Sequence, residues 1–175
     1  MVFTDTRAEG ETWGISDWTT WTRDTDGSVK VKKHNDAAFM LPTMQYFVEF
    51  PFRIQEAPIV TVAGEETIEG VTYDRVFATW ESLKANRTYD QYIVYISRET
   101  GLIEKAYFTV REAGSFMFGT MHFSDFRTVD DMQVPFLMTI TFKPTDDVTD
   151  YLHEIVLTSV ALDAVDPDSF GLPSE

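Results

Sequence analysis

TyrAspGlnTyrIleValTyrIle (89–96), LeuIleGluLysAlaTyrPheThrValArg (102–111), SerPheMetPheGlyThrMetHisPheSerAspPheArg (115–127) and ValProPheLeuMetThrIleThrPhe (134–142) follow one another closely. SerArgGluThrGly (97–101) and ThrValAspAsp (128–131) separate them as turns. Each segment is rich in β-branched and aromatic residues and is bounded by turn formers, which predicts consecutive antiparallel strands. Phe136, Met138, Ile140 and Phe142 alternate onto one face of the last segment, and Leu137, Thr139 and Thr141 onto the other.

Working back toward the N-terminus, ValThrTyrAspArgValPheAlaThrTrpGlu (71–81) is a further strand with Val76, Ala78 and Trp80 on one face. AlaProIleValThrValAla (57–63) leads to GlyGluGluThrIleGluGly (64–70), which reads as a loop or hairpin between two glycines. In residues 42–50, Met44, Phe47 and Val48 fall at helical spacing, Pro42 suits a first turn, and Pro51 ends the run. The spacing predicts a short amphipathic helix lying on the sheet. An edge strand is the rival reading, since Tyr46, Val48 and Phe50 also alternate. ThrTrpGlyIleSerAspTrpThrThrTrpThrArg (12–23) reads as one strand with a bulge near Ser16–Asp17, followed by a turn at 24–28 and a short return strand at 29–34. Toward the C-terminus, residues 143–150 form an acidic loop and 152–163 a long closing strand; 1–10 and 164–175 read as irregular.

A chain of 175 residues with 43% hydrophobic and 14% aromatic content is expected to fold as one domain, spanning 1–175. Its 29 acidic and 14 basic side chains leave a net charge of −15, a field that repels phosphates and argues against nucleic-acid partners. The absence of cysteine excludes disulfides, thiolate metal sites and cysteine nucleophiles. No run approaches the ~20 apolar residues of a membrane-spanning helix. The first ten residues lack the basic and apolar regions of a signal peptide. The chain therefore reads either as cytoplasmic or as a mature or trimmed protein with an added Met1.

Catalytic and metal motifs are missing. His34, His122 and His153 are far apart, and HisGlu at 153–154 has no second histidine to complete a zinc-protease motif. No P-loop, GxGxxG or GxSxG is found, and His122 with Ser124 or Ser159 is the one serine-hydrolase combination to weigh. The carboxylates of 146–150 and 163–168 lack the glycine and terminal glutamate of an EF-hand loop and read as solvated acidic loops. AsnArgThr (86–88) matches a glycosylation sequon with nothing else to support it. No catalytic residue, metal site or cofactor is assigned.

Several segments carry apolar residues on both faces, which calls for cover on both sides. One short helix cannot supply that. A curved sheet closing around its own packed core, a bound apolar ligand and a protein partner (including a second copy) all remain open. Fourteen Phe and seven Met suit an irregular apolar cavity. Candidate lining residues are Phe39, Met44, Phe47, Trp80, Tyr95, Phe108, Phe118, Met121, Phe136, Met138 and Ile140, chosen for bulk and position.

TyrAspGlnTyrIleValTyrIleSerArgGluThrGlyLeuIle (89–103) and PheSerAspPheArgThrValAspAspMetGlnValProPhe (123–136) resemble the C-terminal half of the LolA/LolB-like lipoprotein-localisation carriers, and more closely their exported bacterial relatives. PheMetLeuProThrMetGlnTyrPheValGluPheProPhe (39–52) is similar to a helical insert of those relatives, so the likeness covers roughly residues 36–163. The resemblance implies a mainly β fold: a curved antiparallel sheet, or half-barrel, with a short helical lid. It also implies export to the periplasm or cell surface and binding of a lipid or other apolar molecule. Asp131 stands where the family prefers glycine, so the turn there must hold a strained residue or differ. No position matches the carriers' arginine for acyl-chain handover.

Overall fold

The computed structural model describes residues 2–4, 12–16, 18–32, 36–114 and 117–162. The chain divides into two compact units, Met1–Arg53 with Asp163–Glu175, and Ile54–Leu162.

The first unit holds a four-stranded antiparallel meander of β1 (Val2–Thr4), β2 (Thr12–Ser16), β3 (Thr19–Arg23) and β4 (Val29–Lys32), followed by α1 (Asp36–Arg53). Three expectations change here. Part of the N-terminal lead-in is a strand, because Val2–Thr4 pairs with Thr12–Gly14. Residues 12–23 form a hairpin rather than one bulged strand: the chain reverses after Ser16, with Trp18 at φ 59°, and Ser16 pairs with Thr19. The break in alternation that suggested a bulge is this reversal. Trp13 and Trp21 sit on different strands, and the Trp21 ring lies where Gly14 would carry a Cβ, 2.1 Å from its nearest ring atom.

The helix is twice the expected length and contains both Pro42 and Pro51. A proline inside a helix removes one backbone bond and crowds the preceding turn. Beside Pro42 the Thr43 hydroxyl donates to the Phe39 carbonyl at 2.7 Å, a side-chain bond back to the preceding turn. Around Pro51, Gln45 donates to Glu49 and Arg53 pairs with Glu49 at 2.7 Å, which ties the last turns together along one face. Leu41, Phe47 and Phe50 are buried, so the helical spacing prevails over the edge-strand alternation. A 3-10 turn, Ile54–Glu56, follows.

The second unit is one seven-stranded antiparallel sheet: β5 (Ile59–Ile68), β6 (Val71–Thr79), β7 (Gln91–Ser97), β8 (Ile103–Thr109), β9 (Phe118–Val129), β10 (Met132–Thr141) and β11 (His153–Val156). Each strand pairs with its chain neighbours in the order β11-β10-β9-β8-β7-β6-β5, so the sheet is an open up-and-down meander with edges at β5 and β11. The fold is mainly β and antiparallel, as expected, with a helix longer than the short one expected.

In this sheet the hairpin reading of 64–70 prevails over the loop reading, and the closing strand is shorter than expected. The acidic stretch 64–70 is mostly strand: the ladder to β6 slips between Val62 and Gly64, a bulge in which Gly64 takes φ +93°, then continues to Ile68. Only Glu69 and Gly70, at φ 49° and 89°, form the turn, a left-handed pair that suits a tight hairpin. The closing strand is four residues long instead of about a dozen; past Val156 the ladder adds only the Leu157 amide, which donates to the Phe136 carbonyl at 2.8 Å. An edge strand gains ladder bonds from one neighbour only.

The β9–β10 turn carries Asp130 at φ 44° and Asp131 at φ 67° between the paired Val129 and Met132. Both central residues are left-handed, the arrangement for which Asp-Gly is favoured. The strain anticipated at Asp131 is present. Asp131→Gly is expected to stabilise the unit by about 0.5–1 kcal/mol, since it removes a Cβ clash that exceeds the entropic cost of glycine. A urea titration that shows no gain or a loss would refute this.

Candidate functional site

Register divides the seven-stranded sheet into two chemically different faces. Cross-strand partners Val76, Val94, Ala106, Met121 and Ile140 share one face, joined along their strands by Ala78, Tyr92, Phe108, Phe123, Phe136 and Met138. Apart from Val76, every one of these is buried, Met121 and Met138 to zero exposure. An aromatic run, Trp80 edge-on to Tyr92 (5.7 Å) and Tyr92 stacked near Phe108 (6.5 Å), continues this face past the end of β6.

The opposite face is built in rows. One row reads Arg75, Tyr95, Lys105, His122 and Thr139 across β6 to β10; the next reads Phe77, Ile93, Tyr107, Thr120 and Thr141. The first row is polar and crowded. Lys105 is 4% exposed, its Nζ 3.9 Å from the Tyr95 ring centroid, 4.9 Å from that of Tyr107, and 2.6 Å from Asp146. Glu66 accepts from Arg75 at 3.1 Å and from the Tyr95 hydroxyl at 3.0 Å, and Glu104 accepts from the Tyr73 hydroxyl at 2.9 Å. Burial first, and these carboxylates second, push the Tyr95 hydroxyl up and that of Tyr73 up to about 12, so both act as donors.

The acidic segment 143–150 straps across this face. Thr120 and Thr141 donate to the Lys143 carbonyl at 2.7 and 2.9 Å, the Thr145 amide donates to Thr120, and His122 Nε2–H donates to the Thr145 carbonyl at 3.0 Å. Burial pushes the His122 imidazole down, which holds it neutral in that role. The His122 Nε2 is thus committed to Thr145, and no hydrogen bond joins His122 to Ser124 or Ser159 among the described residues, so the hydrolase pairing gains no support. Asp146 and Asp150 pair with Lys105 and Lys143, and Asp147 accepts from Thr149. The remaining acidic loop, 163–168, lies outside the described residues, as does His34. Among the described residues no group of three His, Asp or Glu could hold a metal. The Asn86 side chain of the sequon accepts from the Thr88 and Tyr89 amides and caps a turn.

Above the second row lies an open pocket of ≈ 430 Å³. Its walls include Phe77, Ile93, Tyr107, Phe108, Phe118 and, from the strap, Pro144. Asp90 stands at its margin, where the Arg111 amide and the Thr109 hydroxyl donate to it at 2.8 and 3.1 Å; burial nevertheless raises its carboxyl above the usual range.

The expected lining residues are distributed between the two units and, within the second, between the two faces of the sheet. Phe39, Met44 and Phe47 lie on α1 in the first unit. Trp80, Phe108, Met121, Phe136, Met138 and Ile140 belong to the apolar face, whereas Tyr95 and Phe118 belong to the opposite one. Only Phe108 and Phe118 of that set line the pocket. Phe77, Ile93 and Tyr107 were not anticipated as lining; the alternation of β7 and β8 could have placed Ile93 and Tyr107 together, had the cross-strand register been known. No described helix is long and apolar enough to cross a membrane.

No family model and no curated protein matches the chain. Among solved structures it is similar to a DUF1329 family protein from Desulfovibrio piger, with a TM-score of 0.54, 13% identity and 79% of this chain covered. A second likeness, to a domain named for outer membrane lipoprotein sorting from Vibrio parahaemolyticus, has a TM-score of 0.45 and 11% identity over 79% of this chain. The match spans 61% and 60% of those longer chains. The open antiparallel sheet and the first of these likenesses show that this protein shares the fold of the DUF1329 family protein, in keeping with the LolA/LolB-like fold that the sequence resemblance implies.

Proposed function

We propose that the protein is an exported binding protein for a lipid, acyl chain or other apolar ligand. The observation that carries this reading is the pocket of ≈ 430 Å³ walled by Phe77, Ile93, Tyr107 and Phe118. Its size falls within the ~300–1,000 Å³ range of small-molecule sites, and its aromatic and aliphatic lining suits an apolar occupant. Export to the periplasm or cell surface is part of the proposal and rests on the sequence resemblance. The test is native mass spectrometry of the purified protein, followed by denaturing extraction and lipid analysis. A co-purifying apolar species, or a one-to-one adduct when fatty acids are added, is the expected result. A monomer whose mass is unchanged under both conditions would defeat the proposal.

A second reading, a protein-interaction module, draws on the sheet edge at β5. Val60 and Val62 are 56% and 81% exposed there, on a strand whose outer side has no ladder partner among the described residues. A homodimer in the same spectra, with no bound apolar species, would transfer the assignment to this edge.

A further inference from the structure

We propose that the ligand of this pocket is a single-chain amphiphile ending in a carboxylate, whose head group replaces Asp146 on the buried ammonium of Lys105. The inference rests on the apolar-ligand reading and names the ligand's class. Its basis is the juxtaposition of two adjacent rows of one sheet face. The row of Phe77, Ile93 and Tyr107 underlies the pocket, and the neighbouring row holds Arg75, Tyr95 and Lys105. Positions two apart on a strand are about 7 Å apart, so a chain lying over the first row brings its end group over the second. Tyr107 joins the two regions: it lines the pocket, and its hydroxyl stands 3.5 Å from Lys105 Nζ. The strap joins them again, since Pro144 walls the pocket and Asp146 pairs with Lys105.

Lys105 is built as an anion site. A buried ammonium requires a counter-charge, and here that charge comes from a side chain that is itself 52% exposed on a surface segment. The Lys105 side chain is only 6% exposed, and the two tyrosine rings fix the position of its ammonium. The other carboxylates of this face are held elsewhere: Glu66 by Arg75 and Tyr95, Glu104 by Tyr73 and Thr100. Asp146 is thus the carboxylate that an incoming one can exchange for without leaving another buried charge unpaired. The exchange conserves charge at Lys105 and releases Asp146 into water, where a carboxylate is well solvated. A neutral amphiphile of the same length gains the pocket but not the ammonium.

The test compares dodecanoate with dodecanol, measured by calorimetry on the full chain and on the variants Lys105→Met and Asp146→Asn. Wild-type protein is expected to bind dodecanoate at least about tenfold more tightly than dodecanol, the difference made by one charge-assisted contact. Lys105→Met is expected to abolish that preference while keeping dodecanol binding. Asp146→Asn, which changes an exposed side chain and leaves the sheet intact, is expected to tighten dodecanoate several-fold and leave dodecanol unchanged. Equal binding of the two ligands by the wild type, or a dodecanoate affinity that Asp146→Asn does not raise, would overturn the assignment of Lys105 while leaving the apolar-ligand reading in place. Failure of both ligands to bind would overturn both.

Discussion

Gly119→Val is expected to destabilise the Ile54–Leu162 unit by about 3 kcal/mol, the upper end of the cost of overpacking a filled interior. Gly119 lies on β9 opposite Phe108, and a Cβ built there would stand 2.3 Å from the Thr141 carbonyl oxygen and 2.9 Å from the Phe108 ring. The first neighbour is backbone of β10 and cannot rotate away. Relief would require β9 and β10 to separate, and these strands pair along nine registered positions from Met132–Val129 to Thr141–Thr120. Gly70→Ala supplies the comparison: it adds a Cβ at a turn where no atom lies within 4 Å, so only its positive φ opposes the change, at about 1 kcal/mol. Urea midpoints of the two variants check the ordering. Equal losses would mean that the close approach at Gly119 is not a constraint.

Met138→Ala is expected to cost 2–5 kcal/mol, and Met138→Leu less than about 1.5 kcal/mol. Met138 has no solvent exposure, pairs with Phe123 on one side and Ile155 on the other, and shares its face with the buried Phe136 and Ile140. Deleting its side chain leaves a void that close-packed neighbours fill poorly, whereas leucine conserves volume. The pair also separates two roles considered for this residue. A packed position shows the large alanine penalty with the apo protein. A residue bordering an open ligand cavity would lose little on truncation, and a loss below about 1 kcal/mol would return Met138 to the list of ligand contacts.

The strands of residues 71–141 were legible because their chemistry alternates with period two and their turns use recognisable residues. Alternation puts Phe136, Met138 and Ile140 on one face, and the cross-strand register agrees. The helix was legible only in its centre. Pro42 and Pro51 are breakers by local chemistry, yet α1 runs through both, since side-chain bonds from Thr43 and Gln45 and the Glu49–Arg53 pair hold the turns around them. The hairpin at Trp18 reads as a bulge in the sequence because Trp13, Trp18 and Trp21 break the period-two alternation, and tryptophan is an uncommon residue for the left-handed turn that it occupies. Bulk and hydrophobicity picked out Phe108 and Phe118 but could not tell a packed side chain from one lining a space.

Composition and alternation alone were enough for a mainly antiparallel β protein without catalytic motifs, strongly acidic and rich in aromatic residues. Those properties depend on residue type and local period, and both are written along the chain. Which residues face each other across strands depends on register, and register is a property of pairs distant in sequence. Lys105 reads in isolation as one polar residue in a strand. It becomes a buried ammonium between Tyr95 and Tyr107 only when β7 and β8 align and the 143–150 segment brings Asp146 across 41 positions of chain. The pocket beside it arises in the same way, from Phe77, Ile93 and Tyr107 meeting in one row while Pro144 closes its rim.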